Sequence, residues 1–254
     1  MTSNCIFCGK AETSKEHAFP EWLMNRYRAP GSLEHQRSLH AVPRIKKRVD
    51  CLRITVECVC RKCNNEWMSG LQARAIPVIT RLLDCPTCTL DTHDCKTLAL
   101  WAVMSTMVLE TFNEAETWRF TDLERCLFHK CEQIPPFTRV WTAKWIASPG
   151  PFYESHNQAT EKSSDRGTVT TFAFGNLAFQ VLKVVPHNPK MSSFFVATWP
   201  GLPWDQIMLQ VWEPQVVPIC WPPLMAIHGE ADFDELALRF SPPSVEDSDS
   251  PERS

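Results

Sequence analysis

Helical periodicity of apolar residues is clearest in two stretches of the chain. Apolar side chains recur at three- and four-residue steps over residues 68–82, which predicts a helix that begins near Lys62 and buries one face. Pro77 lies inside this pattern and predicts a kink or a break near Ala75. Residues 96–113 are more uniformly apolar and predict a second, buried helix.

Alternation of apolar and polar residues predicts strands elsewhere. Trp141, Ala143 and Trp145 fall on one face of such a strand, and Gly175-Asn176 separates two others as a two-residue hairpin turn. Aromatic residues on these strands are typical of a sheet core, although they could also stack nucleic-acid bases. The predicted strands cover residues 52–59, 139–147, 168–174, 177–185, 194–199 and 206–212.

These elements predict an α+β protein in three parts. Residues 1–83 form an N-terminal module, residues 84–135 a helical segment, and residues 136–240 a β-rich domain of unassigned role. Residues 25–50 and 148–167 are interpreted as loops because they are polar and interrupted by glycine or proline. The acidic, Ser- and Pro-rich residues 241–254 are predicted to be a disordered tail.

The charge is distributed unevenly along the chain. Residues 1–83 contain 14 Lys and Arg against 7 Asp and Glu, whereas the rest contains 12 against 22, for a net charge of -3. A basic N-terminal third suits a polyanionic partner such as nucleic acid. Charge alone is more typical of a solvated surface, and it is the motifs described below that favour the polyanion. The longest apolar run, residues 98–109, is too short to cross a bilayer, so no membrane partner is expected.

Cysteine spacing supplies the first sign of specific chemistry. Twelve cysteines without a recognisable signal sequence favour metal binding in the reducing cytoplasm over a disulfide framework. Two CxxC pairs provide four thiolates, enough for a closed tetrahedral zinc site, and Gly9 permits the turn behind the first pair. A second group is either another zinc site or a set of unrelated thiols. The residues are Cys5, Cys8, Cys60 and Cys63 for the first site and Cys85, Cys88, His93 and Cys95 for the second.

The order of these motifs resembles the HNH endonuclease family in its zinc-stapled form. Over roughly residues 5–70 the chain has a CxxC pair, then Glu16-His17-x-x-Pro20, and then a CxxC pair followed directly by Asn64. The resemblance implies a ββα-metal module with His17 as general base and with Glu16 and Asn64 holding a divalent cation, Mg²⁺ or Mn²⁺. Glu16 stands where aspartate is commoner, and no asparagine lies between His40 and Val59 to orient the base, so a backbone carbonyl is expected to take that role.

The resemblance therefore predicts a metal-dependent endonuclease, with DNA as the expected substrate and the C-terminal domain selecting or regulating the target. The basic run formed by Arg44, Lys46, Lys47 and Arg48 would approach phosphates. The alternative is a non-catalytic zinc-stapled protein that binds nucleic acid or acts as an adaptor, in which His17 is a structural histidine. The oligomeric state, the choice between DNA and RNA, and the biological context stay open.

Overall fold

The computed structural model describes residues 4–11, 13–17, 20–27, 32–38, 45–50, 55–112, 119–146, 153–159, 166–186 and 202–240. Helices and sheet are mixed along this part of the chain, as predicted. The strands are β1 (Ser14–His17), β2 (Ser32–Ser38), β3 (Ile45–Asp50), β4 (Thr55–Val59), β5 (Cys88–Leu90), β6 (Thr138–Ile146), β7 (Tyr153–Ala159), β8 (Arg166–Phe174), β9 (Leu177–Val185), β10 (Leu209–Gln210), β11 (Ile219–Trp221) and β12 (Ile227–His228).

The helices are concentrated between β4 and β6. They are α1 (Glu21–Arg26), α2 (Arg61–Cys63), α3 (Ser69–Asp84), α4 (Thr92–Leu109), α5 (Asp122–Cys131), α6 (Trp204–Ile207) and α7 (Gly229–Leu238). A π-helical turn, Asn64–Met68, joins α2 to α3, and a 3₁₀ turn, Glu110–Phe112, follows α4. None of the described helices is long and apolar enough to cross a membrane.

The described strands form one large sheet and two small ones. The large sheet has the order β10-β6-β9-β8-β7-β2-β3, and β12 also pairs with β6. Its neighbours are antiparallel except for β2 with β7 and β12 with β6. In the small sheets β1 pairs with β4 and β5 pairs with β11, both antiparallel. The predicted hairpin between β8 and β9 is confirmed, and Gly175 at its turn has a φ of +57°.

Helices cover both faces of the large sheet. Trp101 of α4 packs against Phe172, Phe174 and Phe179 on one face, with ring centroids 5.4 to 5.9 Å apart. On the other face Trp145 packs against Phe233 of α7 at 5.4 Å. The prediction that Trp141, Ala143 and Trp145 share a face is confirmed, and these aromatic residues belong to the core.

The predicted N-terminal helices are present, with one correction. The residues of the predicted apolar face, such as Leu71 and Ile79, are buried. The expected break near Ala75 is wrong, because α3 continues through Pro77 to Asp84. Pro77 and Ala73 are both exposed. The carbonyl of Ala73, which loses its usual N–H partner at Pro77, can therefore bond to water.

An ion pair that the sequence analysis did not identify fixes the end of α4. Arg125 of α5 donates from Nη2 to Oε2 of Glu110 at 2.7 Å and from Nη1 to the carbonyl of Met107 at 2.9 Å, and both charged side chains are 0% exposed. The other Glu110 oxygen accepts from the main-chain N–H of Arg119. Burial raises the pKa of Glu110 to about 7 even though Arg125 and these N–H groups act in the opposite direction.

The loop predictions need correction. Residues 32–38, 45–50 and 153–159 are strands of the large sheet rather than loops, with β2 pairing to both β3 and β7. Their sequences are polar and lack alternation, so only pairing between distant segments makes them strands. In the C-terminal part, α7 was not predicted, and the prediction for residues 206–212 was only partly right, since α6 ends at Ile207. The predicted strand at residues 194–199 lies outside the described residues.

The three sequence segments share one core. A single cluster of buried side chains contains Phe7, Leu71, Trp101, Phe172 and Trp221, so it draws on all three. The indole N–H of Trp221 donates to the carbonyl of Leu82 at 3.0 Å. The division into domains stays a prediction, and α3 packs on α4, which in turn packs against β6 and β9 of the large sheet.

Candidate metal centre

The first CxxC pair forms a tight turn against β4. The N–H of Gly9 donates to the carbonyl of Cys5, and the N–H of Cys5 donates to the carbonyl of Lys10, both at 2.8 Å. Gly9 has a φ of +73°, the left-handed conformation that glycine adopts most readily. The N–H of Ile6 also donates to the carbonyl of Cys58 at 2.9 Å, which attaches this turn to the strand that leads to the second pair.

The second CxxC pair begins a helix. Cys60 is the N-cap of α2, and its Sγ accepts from the main-chain N–H of Cys63 at 3.4 Å. The N–H of Asn64 donates to the carbonyl of Cys60 at 3.0 Å, which continues the helical turn. Both cysteines of this pair are buried, so their sulfur atoms lie at the protein interior between the end of β4 and the first helical turn.

The two turns bring four sulfur atoms together. The Sγ atoms of Cys5, Cys8, Cys60 and Cys63 all lie within 4.8 Å of one another, and those of Cys8 and Cys60 are 3.6 Å apart. Zn–S bonds of about 2.3 Å in a tetrahedron place sulfur atoms about 3.8 Å apart. The cysteines form no disulfide. The predicted convergence is confirmed, and the four thiols could hold a metal such as zinc.

Ionisation of the four thiols is uneven. Burial works against the charge on Cys60, but the N–H of Cys63 and the neighbouring thiols lower the pKa of Cys60 to about 7. Burial raises the pKa values of Cys8 and Cys63, and the other sulfur atoms of the cluster add to the rise at Cys63. One thiolate therefore forms readily, and its negative charge opposes ionisation of the other three thiols. A bound cation would remove this repulsion.

A histidine from a distant helix contacts this cluster. Nε2 of His129 on α5 lies 3.8 Å from Sγ of Cys63, within reach of a weak hydrogen bond to sulfur. Trp67 packs edge-on against His129 at 5.1 Å and against Phe7 at 4.9 Å, so these rings belong to the apolar packing around the cysteine pairs. Burial lowers the pKa of His129, which favours the neutral ring. The sequence analysis missed His129 because it lies 66 positions from Cys63.

The candidate catalytic residues lie on the elements that flank the cluster. Glu16 and His17 are on β1, where their backbones pair with Val56 and Thr55 of β4. Asn64 directly follows the last cysteine, is half-buried and opens the π-helical turn. The side chains of Glu16 and His17 lie outside the described residues. The backbone thus places their strand beside the strand that leads into the metal-binding turn.

The basic run predicted to approach phosphates has a different setting from the expected loop. Arg44 lies outside the described residues, as do the side chains of Lys46, Lys47 and Arg48, but their backbones belong to β3. β3 is the last strand in the order of the described sheet. Lysine on an edge strand also discourages pairing with other chains, which gives this run a structural explanation besides nucleic-acid contact.

Acidic residues of later segments neutralise part of the basic N-terminal third. Arg26 pairs with Asp84. Two arginines of α3 are also paired: Arg74 with Glu132 at the end of α5, and Arg81 with Asp94 of α4. Three of the 14 basic residues counted in residues 1–83 therefore contribute less to a polyanion-binding surface than the sequence count indicates.

The second cysteine group does not assemble. Among the residues that the structure describes, the metal-binding arrangement found is the cluster of the first two CxxC pairs. Cys85 is exposed, Cys88 lies on β5 and Cys95 is buried in α4. His93 is exposed in the first turn of α4, so the interpretation of these residues as unrelated thiols is the one that fits.

Comparison of the chain with protein-family models, with curated proteins and with solved structures gives no match.

Proposed function

We propose that the protein is a metal-dependent endonuclease that hydrolyses phosphodiester bonds in nucleic acid, with DNA as the expected substrate. The observation that carries the proposal is the placement of Glu16 and His17 on β1, which pairs with β4, the strand that ends directly before Cys60 of the four-cysteine cluster. β1 and β4 are neighbours in space and α2 follows β4 directly, with α1, β2 and β3 between β1 and β4 in the chain. Two paired strands followed by a helix resemble the ββα-metal module of the HNH family, and this supports the proposal together with the sequence motifs.

The proposed roles follow from the chemistry of the side chains. His17 abstracts the proton of the attacking water, since its ordinary pKa lies near neutrality. Glu16 and Asn64 would hold Mg²⁺ or Mn²⁺ through their side-chain oxygen atoms, and the ion would supply positive charge to stabilise the phosphate and the leaving 3′ oxygen. The backbone of Thr55 pairs directly opposite that of His17, and we propose Thr55 as the residue that takes the place of the missing orienting asparagine.

A non-catalytic adaptor is the second candidate, and the closed cysteine cluster favours it. Four thiolates fill a tetrahedral zinc shell and leave no position for water, so this zinc would be structural. A protein that uses zinc only to fix its fold needs the cysteines but has no need for Glu16, His17 and Asn64 together. Their joint presence supports the nuclease over the adaptor.

A plasmid-nicking assay with Mg²⁺, Mn²⁺ and EDTA arms tests the proposal. His17→Ala should reduce cleavage by about 100-fold or more, the usual scale for losing a general base, and leave zinc content unchanged. Glu16→Ala and Asn64→Ala should instead raise the Mg²⁺ concentration needed for half-maximal cleavage. His93→Ala is the matched control because His93 is exposed on α4 and outside the proposed site.

Two results would contradict the proposal. Cleavage by His17→Ala at the wild-type rate, with contaminating nuclease excluded, would refute the role of His17 as general base and make it a structural histidine. Absence of cleavage of single- and double-stranded DNA and RNA by zinc-loaded wild-type protein, with binding retained, would favour the adaptor.

A further inference from the structure

The C-terminal segment contains a cleft that shares no residue with the metal centre. It has a volume of about 1050 Å³ and lies between α6, β10, residues 214–224 and the end of α7. Its lining includes Trp141, Trp204 and Arg239. Two further lining residues, Val216 and Leu224, are 72% and 88% exposed, so apolar side chains stand open to solvent at its rim.

Arg239 is buried among aromatic rings at this cleft. The residue is only 9% exposed. Its guanidinium carbon lies 4.9 Å from the ring centroid of Trp141, 5.5 Å from that of Trp204 and 4.6 Å from that of Phe240. Within the described part of the chain it makes one hydrogen bond, from Nη1 to Oε1 of Gln180 at 3.5 Å, and its Nε has none.

Arg239 differs from the other deeply buried arginine of the same protein. Arg125 has a carboxylate oxygen at 2.7 Å, whereas no described carboxylate lies within 4.0 Å of Arg239. A buried guanidinium carries five N–H donors and a positive charge, and leaving them unmatched costs free energy that aromatic contacts recover only in part. Burial lowers the pKa of Arg239 to about 10, and no charged group acts in the opposite direction, whereas at Arg125 the carboxylate of Glu110 does.

We propose that this cleft binds a small organic anion, a carboxylate or phosphate monoester with an apolar or aromatic body, whose charged group pairs with Arg239. The guanidinium supplies the directional contacts that such a group prefers. The tryptophan and proline walls match the apolar body, which would also cover Leu224 and Val216. This site is independent of the proposed nuclease activity.

Calorimetric titration of the full chain tests the proposal with phenyl phosphate and phenylacetate, and with benzyl alcohol as the neutral probe. We expect dissociation constants of about 1 mM or tighter for an anion and at least about 10-fold weaker binding of the alcohol. Arg239→Gln should weaken anion binding by about 10- to 100-fold, the range for a lost charge-assisted contact.

Because Arg239→Gln also changes the core, rim variants provide a second test that leaves packing intact. Asp205 and Leu224 both line the cleft and are exposed. Asp205→Asn should tighten anion binding and Leu224→Glu should weaken it, each by about 2- to 5-fold at low salt. Leu123→Glu, at an exposed position on α5, is the matched control and should leave the affinity unchanged.

Three outcomes would overturn the proposal. They are absence of anion binding, equal affinity for benzyl alcohol, and rim variants that behave like Leu123→Glu. The chain's own tail has the same chemistry at Glu246 and Asp247, so a Glu246→Gln, Asp247→Asn variant is titrated as well. Unchanged affinity is expected, and a gain of more than about 3-fold would assign the site to the tail instead.

Discussion

Replacing Cys60 with serine should destabilise the whole protein because the cysteine cluster closes a long loop. Cys8 and Cys60 are 52 positions apart in the chain. Cross-linking two residues at that separation removes about 4 kcal/mol of unfolded-state entropy at 25 °C in the loop-closure model. For a protein of this size, each kcal/mol corresponds to about 2–4 °C in Tm. Cys60→Ser should therefore lower Tm by about 8–16 °C.

The assay combines metal content with thermal unfolding. Zinc per chain is measured by elemental analysis, and Tm is measured by circular dichroism on the same samples. Cys85→Ser and Cys220→Ser are matched controls, since both cysteines are exposed and neither belongs to the cluster. We expect one zinc per chain in the wild type and in both controls, and loss of bound zinc in Cys60→Ser.

Chelation of wild-type protein should reproduce the effect of the substitution. Cysteine thiols must lose their protons to bind zinc. The Tm difference between zinc-loaded and chelated protein should therefore shrink as the pH falls. The reasoning is refuted if Cys60→Ser unfolds within about 2 °C of the two control variants. It is equally refuted if carefully purified wild-type protein contains no metal and chelator leaves its Tm unchanged.

Two further predictions concern the stability of the core, at Glu110 after α4 and at Gly175 in the β8–β9 hairpin. Because the folded-state pKa of Glu110 is about 7 against an ordinary 4.5, the folded protein holds more protons between these pH values. Raising the pH from 4.5 to 7 should therefore lower the unfolding free energy of the wild type by about 3 kcal/mol relative to that of Glu110→Gln. Urea denaturation measures both values, and a difference between them that does not change with pH would contradict the prediction. Gly175→Ala should cost about 1–3 kcal/mol, since its Cβ would lie 2.2 Å from the Tyr27 hydroxyl oxygen at a φ of +57°, whereas Gly70→Ala in α3 should stabilise by about 0.5–1 kcal/mol. A Gly175→Ala variant as stable as the wild type would show that Tyr27 moves freely.

The sequence predicted those features of the fold that depend on local spacing. The CxxC pairs, the apolar face of α3 and the hairpin at Gly175 are each determined within a few residues, and the structure contains all of them. Composition also separated the helical segment from the β-rich one. Such features can be predicted from the sequence because residues close in the chain supply most of the contacts that form them.

Contacts between distant segments escaped the sequence analysis. β2 pairs with β7 across more than 100 positions, and neither strand shows the alternation that marks a half-buried strand. The approach of His129 to Cys63 and the burial of Arg239 depend in the same way on tertiary packing. A polar residue in a sequence window carries no sign that a distant helix or sheet will enclose it.

The geometry of the cysteine cluster suits a structural metal, distinct from the ion of the proposed phosphodiester hydrolysis. Zinc held by all four sulfur atoms would have no open position, so its binding free energy would stabilise the structure and would not act on a reacting phosphate. The same turn holds Asn64, whose N–H bonds to the carbonyl of Cys60, and the same strand pairing holds the backbone of Glu16 and His17. Zinc bound by the cluster would therefore also position the backbone that carries the proposed oxygen ligands of a second ion. Loss of zinc should abolish cleavage through misplacement of these residues, whereas loss of Mg²⁺ should abolish cleavage and leave Tm unchanged.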